Sequence, residues 1–271
     1  MAWSERQVAM LAEMGLRVWQ PAGAEAPEPL APAQTMSGAP AAASPTRAAA
    51  APLAARPAPA VALQAEPGSR SVGVETMDWP ALREAVAGCT ACKLCSGRTQ
   101  TVFGVGNPRA HWMIVGEAPG EQEDLQGEPF VGKSGQLLDN MLRALGLTRG
   151  EAAPEQQVYI ANTVKCRPPG NRNPEPSELA QCEPFLIRQI ELLRPRIILA
   201  MGRFAVQSLL RSTEPIGRLR GRVHRYQGVP LVVTYHPAYL LRNLPDKSKA
   251  WEDLLFARRV LAEQAVPELP F

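Results

Sequence analysis

The sequence predicts an α/β fold, a parallel sheet covered by helices on both faces. Two observations carry this. From about residue 74, short apolar runs of strand length alternate with longer segments of helical period. Each strand-length run also passes directly into an unusual polar loop, and ligands of open α/β sheets bind beyond the carboxyl ends of the strands.

In chain order, "WPALREAVAGC" (79–89) reads as a helix and "HWMIV" (111–115) as a short buried strand. "GQLLDNMLRALGL" (135–147) is helix, "VYIAN" (158–162) strand and "SELAQCEPFLIRQIELL" (177–193) helix. "RIILA" (196–200) is strand, "FAVQSLL" (204–210) helix and "PLVVTYH" (230–236) strand. "KAWEDLLFARRVLAEQA" (249–265) closes the series as a helix. About four strands are visible. The loops after them, "GEAPGEQED", "TVKCRPPGNRNP", "MGR" and "HPAYLLR", converge on one edge of such a sheet and have the composition of an active site.

Three domains are expected: a short helix in residues 1–20, a linker over 21–72 and the α/β domain over 73–271. "WSERQVAMLAEMGLRVW" has Ser4 and Gln7 in capping-box spacing and Gly15 as a stop. Such a helix either binds a partner from its tether or docks on its own domain. The linker is mostly alanine and proline, buries too little apolar surface to offset its ordering entropy, and reads as disordered. The C-terminal "VPELPF" resembles the short apolar peptides that bind sliding clamps. A sliding clamp or another protein is thus one expected partner of either terminus on an otherwise monomeric protein, the other reading of the tail being a frayed end.

The chain has 271 residues, 45% of them apolar, and a net charge of +3. That is mildly basic and permits a polyanionic partner. No apolar run approaches the roughly 18 to 20 residues of a membrane helix. The N-terminus lacks a basic stretch followed by an apolar one, so a cytoplasmic protein is expected. There cysteines stay reduced, and grouped ones bind metal or do redox chemistry. Five is also an odd number for a disulfide framework.

Cys89 and Cys92 form C-x-x-C in "CTACKLC", with Cys95 next; Cys166 and Cys182 lie far downstream. Four thiolates suit tetrahedral zinc or an iron–sulfur cluster, and the C-x-x-C-x-x-C beat favours iron. A metal site can hold together a segment with no apolar core, such as the "RPPGNRNP" between the last two cysteines. Its Arg167 and Arg172 suit contact with phosphates.

"CTAC", "VFGVGNP", "VGEAPGEQED", "PFVGKSGQLLD", "KCRPPGNRNP" and "HPAYLLR" occur in one order between about Cys89 and Arg242. Together they closely resemble the family 4 uracil-DNA glycosylases, the iron–sulfur members of their superfamily. The resemblance implies a three-layer α/β/α fold with a four-stranded parallel sheet, and uracil-containing DNA as substrate. It also implies a 4Fe–4S cluster on Cys89, Cys92, Cys166 and Cys182, with no required role for Cys95.

Breaking the glycosidic bond builds positive charge on the sugar and negative charge on uracil O2. Asn162 is expected to read the base, donating to O4 and accepting from N3–H. His236 would donate toward O2 as the neutral imidazole. The resemblance sets Gly116, Glu117 and Ala118 against the base, with Ala118 where family 1 enzymes carry an aspartate base. Glu117 would then place water or stabilise the cationic sugar. Phe130 would stack on the flipped base, and Glu123 would close the pocket beside C5. Lys133 and Ser134 resemble a phosphate-binding turn. Leu240 and Leu241 offer a wedge into the vacated stack, and Arg242 a phosphate contact.

Two other functions share the fold. One is a non-catalytic iron–sulfur protein that binds DNA or senses redox state. The other traps DNA covalently, but that branch carries an arginine- and histidine-rich insertion after the asparagine strand, and "TVKCRPPGNRNP" has no histidine.

Overall fold

The computed structural model of the chain describes Met10, Glu13 and residues 72–264. Six strands form one sheet: β1 (Val105–Gly106), β2 (Trp112–Gly116), β3 (Val158–Asn162), β4 (Ile197–Met201), β5 (His224–Tyr226) and β6 (Val229–Thr234). Their order is β1-β3-β2-β4-β6-β5. The inner four are parallel and the two outer strands pair antiparallel to them. The four-stranded parallel sheet implied by the resemblance is thus present, with a short edge strand added on each side. β1 and β5 are too short to show any period in the sequence.

Side-chain alternation on the strands divides the core. Ile114, Ile160, Leu199 and Val232 face one apolar layer. It is built by helices α3 (Lys133–Ala144) and α8 (Lys247–Glu263), which contribute Leu138, Met141, Trp251 and Leu254. Val115, Ala161, Ala200 and Val233 face the other. There α4 (Pro176–Leu193) and α5 (Arg203–Leu210) contribute Leu186, Ile190, Val206 and Leu209. Both faces of the inner strands are therefore buried, which is why they read as unbroken apolar runs. Helix α1 (Trp79–Ala87) packs through Leu82 and Val86 on Phe185 of α4 and brings the first cysteine loop to that side.

Three shorter helices add to those expected from the sequence: α2 (Glu121–Gln126), α6 (Ile216–Leu219) and α7 (Pro237–Leu240). The "VFGVGNP" motif forms β1. A Cβ on Gly106, at φ 118°, would lie 2.0 Å from the Val158 carbonyl oxygen, so only glycine permits this approach to β3. Of the expected N-terminal helix, Met10 and Glu13 are helical, and Met10 packs against the layer formed by α3 and α8. The rest of that helix, the linker and "VPELPF" lie outside the described residues. Among the described residues no helix is long and apolar enough to cross a membrane.

Candidate active site and cysteine cavity

The carboxyl ends of the four parallel strands carry the candidate residues. Gly116 ends β2 and Asn162 ends β3, directly opposite it in register. Gly202 follows β4, and His236 follows β6 as the N-cap of α7. A Cβ on Gly116 would lie 2.4 Å from Asn162 Oδ1 and 2.6 Å from Phe130 Cζ. Glycine there lets the amide and the aromatic ring approach one another. Phe130 in turn stacks on His236, with ring centroids 5.4 Å apart. Asn162, Phe130 and His236 thus meet at one rim of the sheet.

Asn162 is 2% exposed, and its Oδ1 has no hydrogen-bond partner among the described residues. A buried acceptor left open is costly in a finished fold and marks a place built for a donor. His236 Nδ1 accepts from the Ala238 amide at 3.2 Å, which leaves the ring proton on Nε2. Burial, helped by Arg242, lowers the His236 pKa to about 4, so the imidazole is neutral near pH 7. A Cβ on Gly202 would lie 3.0 Å from His236 Cβ, so this glycine makes room for the histidine.

Glu117 is half-buried in the loop after β2. Its carbonyl accepts from the Val164 amide at 3.2 Å and from the Thr163 hydroxyl, which holds this loop against the one after β3. Burial raises the carboxyl to about 7, against the opposing pull of Arg203. Arg203 was not among the expected site residues; the short "MGR" loop that holds it was the available signal. Ala118 is half-buried in the same loop and offers no base.

Phe130 is held at φ 57°, unusual for a bulky residue. Two side chains hold it there. Glu123 accepts from the amides of Gly120, Val131 and Gly132 at 3.0, 2.9 and 3.0 Å. Arg149 donates to the carbonyls of Pro129 and Phe130 at 2.8 and 3.1 Å while paired with Asp139 at 2.7 Å. The carboxylate of Glu123, expected to close the pocket, is thus engaged by the backbone of the Phe130 loop. Arg149 had no signal in the sequence, because its role depends on a carbonyl pair nineteen and twenty residues away.

The expected DNA-facing residues divide. Lys133 is exposed and Ser134 half-buried in the first turn of α3, and Arg242 is exposed after α7. Arg167 is half-buried, with Nε donating to Asn171 at 2.8 Å. Arg172 grips Glu178, itself 1% exposed, through two bonds of 2.9 and 2.6 Å, and so fixes the start of α4 with its own side chain still a third exposed. Leu240 is corrected. It is fully buried in the core, whereas Leu241 is 40% exposed.

Behind the strand ends lies a cavity of about 360 Å³, counting space open to solvent, lined by Cys89, Cys92, Cys166 and Cys182. Cys95 also lines it. Arg98 Nη1 donates to Cys166 Sγ at 3.0 Å, and the Lys165 amide donates to Cys182 Sγ at 3.2 Å. Such donors stabilise thiolate sulfur. Among the described residues, no three Cys, His, Asp or Glu side chains are grouped as a single metal ion requires.

Residues 103–255 match the family model described as the uracil DNA glycosylase superfamily. The chain belongs to that superfamily. Within it, the chain is 40% identical to the type-4 uracil-DNA glycosylase of Saccharolobus solfataricus over 194 residues, 68% of this chain and 87% of that protein. It is 44% identical to the type-4 uracil-DNA glycosylase of Thermotoga maritima over 162 residues, 59% of this chain and 81% of that one. Identity with the type-5 uracil-DNA glycosylase of Pyrobaculum aerophilum is 33% over 149 residues, 51% of this chain and 66% of that protein. The family 4 resemblance carried by the six motifs is borne out by these superfamily relatives, and so is the α/β/α fold.

Proposed function

We propose that this chain is a uracil-DNA glycosylase of DNA repair, which flips uracil out of DNA and hydrolyses its N-glycosidic bond to leave an abasic site. The observation that carries this reading is the unpartnered Asn162 Oδ1, buried at a strand end beside Phe130 and opposite Gly116. It is an acceptor waiting for a donor, and uracil N3–H is one. The same amide donates to O4. Cytosine presents a lone pair at N3 and an amine at C4, so both contacts reverse. Polar groups left unpaired in a built site reject the wrong ligand by ~10⁴-fold or better.

The everted base, extruded at a cost of roughly a few kcal/mol, lies against the Phe130 ring. His236 Nε2–H donates toward O2 as charge leaves the sugar; a neutral donor strengthens its bond as the anion forms. Glu117, about half ionised near pH 7, faces the developing cation or orients the attacking water. Leu241 enters the gap left by the base, while Lys133, Ser134, Arg167 and Arg242 meet the backbone.

Cys89, Cys92, Cys166 and Cys182 would hold a 4Fe–4S cluster. The donor set supports this: four thiols line one cavity, with N–H groups aimed at two of the sulfurs. Holding it, the loop at Cys89–Cys92 would be tied to the segment around Cys166 and Cys182.

A uracil-containing oligonucleotide tests the reading. Purified protein should convert it to an alkali-labile product and leave cytosine intact. Fresh protein should be brown, with broad absorbance near ~400 nm. Metal-loaded protein that leaves uracil in place would sink the enzyme assignment, and colourless zinc-loaded protein that is fully active would sink the cluster.

A further inference from the structure

Lys165 lies between the cysteine cavity and the base-reading asparagine. It is 1% exposed. Its ammonium donates to the Asn162 carbonyl at 2.8 Å and to Gln189 Oε1 at 2.6 Å. Its own amide donates to Cys182 Sγ at 3.2 Å, its carbonyl accepts from the Val102 amide at 2.8 Å, and the next residue is Cys166. Gln189, also fully buried, is fixed in turn by donating to the Phe103 carbonyl at 2.9 Å and the Tyr159 hydroxyl at 3.2 Å.

A buried ammonium is expensive unless it is paired and hydrogen-bonded. Among the described residues no carboxylate pairs with it. It is held instead by two neutral oxygens, the Asn162 carbonyl and Gln189 Oε1. One of the oxygens belongs to the last residue of β3, where the strand's hydrogen-bonding ladder ends. A carbonyl bound there fixes the peptide from which the Asn162 amide projects.

We propose that Lys165 is a positioning residue for base recognition: its buried side chain ties the Asn162 carbonyl to Gln189 beside the cysteine cavity, so that reading the base depends on this contact. The inference rests on the proposed function, because it takes Asn162 to be the base-reading group. It does not make Lys165 a group that touches the substrate. Its role is to hold the Asn162 amide within a fraction of an ångström of its working place. A misplacement of about 1 Å at a reacting or recognising group can cost on the order of 10²-fold.

The test uses full-length, metal-loaded protein and two oligonucleotides. One carries 2′-deoxypseudouridine, a carbon-linked and uncleavable nucleotide with the O4, N3–H and O2 edge of uracil. The other carries a tetrahydrofuran abasic site, which has no base to read. The wild type should prefer the first. Lys165→Met, close in size but without charge or donor, should keep the ~400 nm absorbance, bind the abasic strand within twofold of wild type, and lose at least fivefold of the preference for the base. Equal loss on both strands would mean a general structural role, and an unchanged preference would mean no role; either result overturns the proposal. If Lys165→Met loses its absorbance, Gln189→Met decides, because it removes the lysine's second anchor and leaves the charge and the cysteines in place. It should show the same selective loss, and an equal or absent loss again overturns the proposal. A wild type that neither releases uracil nor prefers the base-bearing strand would instead remove the underlying glycosylase reading.

Discussion

His236 lies stacked on Phe130, with ring centroids 5.4 Å apart and planes inclined by 30°. The contact joins two loops 106 positions apart and fixes the imidazole plane, while the Ala238 amide fixes its tautomer. A donor aimed in advance needs no reorganisation when charge develops, and this is what makes such groups effective. His236→Ala should therefore slow uracil release by about 10²–10³-fold and leave binding of abasic DNA unchanged. Single-turnover rates beside binding curves would separate the two.

The same histidine sets a pH signature. Its folded pKa of about 4 lies below the ordinary 6.5, so the unfolded chain binds the extra proton between these values. Its contribution to stability is present above pH 6.5 and is lost as pH falls toward 4. Urea titrations at pH 7 and pH 4.5 should show a loss that His236→Gln reduces. The activity profile should show no inflection from this residue near 6.5.

Gly116 and Gly135 divide site from scaffold. A Cβ on Gly116 would meet side-chain ends, Asn162 Oδ1 at 2.4 Å and Phe130 Cζ at 2.6 Å, which can swing away. Gly116→Ala should keep the fold and lower uracil excision by roughly 10²-fold or more through displacement of these groups. A Cβ on Gly135 would meet backbone, the Phe130 carbonyl oxygen at 1.7 Å. Gly135→Ala should lower stability by about 1–3 kcal/mol or more, seen as a reduced unfolding midpoint.

How legible this was in the sequence depended on the range of the contacts. The inner strands declared themselves, because burial on both faces leaves an unbroken apolar run such as Ile197–Met201. The polar loops at their carboxyl ends could be placed for the same reason, whereas Asn162 and His236 there stood out only through the family motifs. What failed was direction and pairing. Leu240 and Leu241 look alike in "AYLLR", and only the packing of α7 on α3 decides which one is buried. Arg172 looked free because its partner Glu178 lies in a helix whose start Arg172 itself helps to fix. Lys165 and Gln189 gave no sign of their contact across 24 positions.

Glu117 should give the activity profile its acidic limb. Its carboxyl is raised to about 7 by burial, so the fraction ionised climbs through neutrality. If the carboxylate is the working form, excision should rise from pH 6 to pH 8 and then level, and Glu117→Gln should be slower and flat across that range. Stability should run the other way. The folded state holds the proton more tightly than the unfolded chain between pH 4.5 and about 7, so this residue's contribution fades as pH rises through 7. Glu117→Gln should then melt higher than wild type at pH 8 while being the poorer enzyme. Gain of stability with loss of rate would mark a group kept for chemistry; loss of both would mark an ordinary turn residue.

The two leucines offer a final separation, because adjacent positions in one loop make opposite predictions. Leu240 sits in the core against α3, so Leu240→Ala should cost about 2–5 kcal/mol in stability, with any loss of DNA affinity following from that. Leu241 is 40% exposed, so Leu241→Ala should change stability by no more than about 0.5 kcal/mol. A wedge is needed only where a stacked partner must be displaced. Leu241→Ala should therefore weaken excision from duplex DNA at least fivefold more than from single strands. Equal effects on both substrates would mean that Leu241 does not fill the gap, and exposed Leu244, three positions on, would become the next residue to substitute.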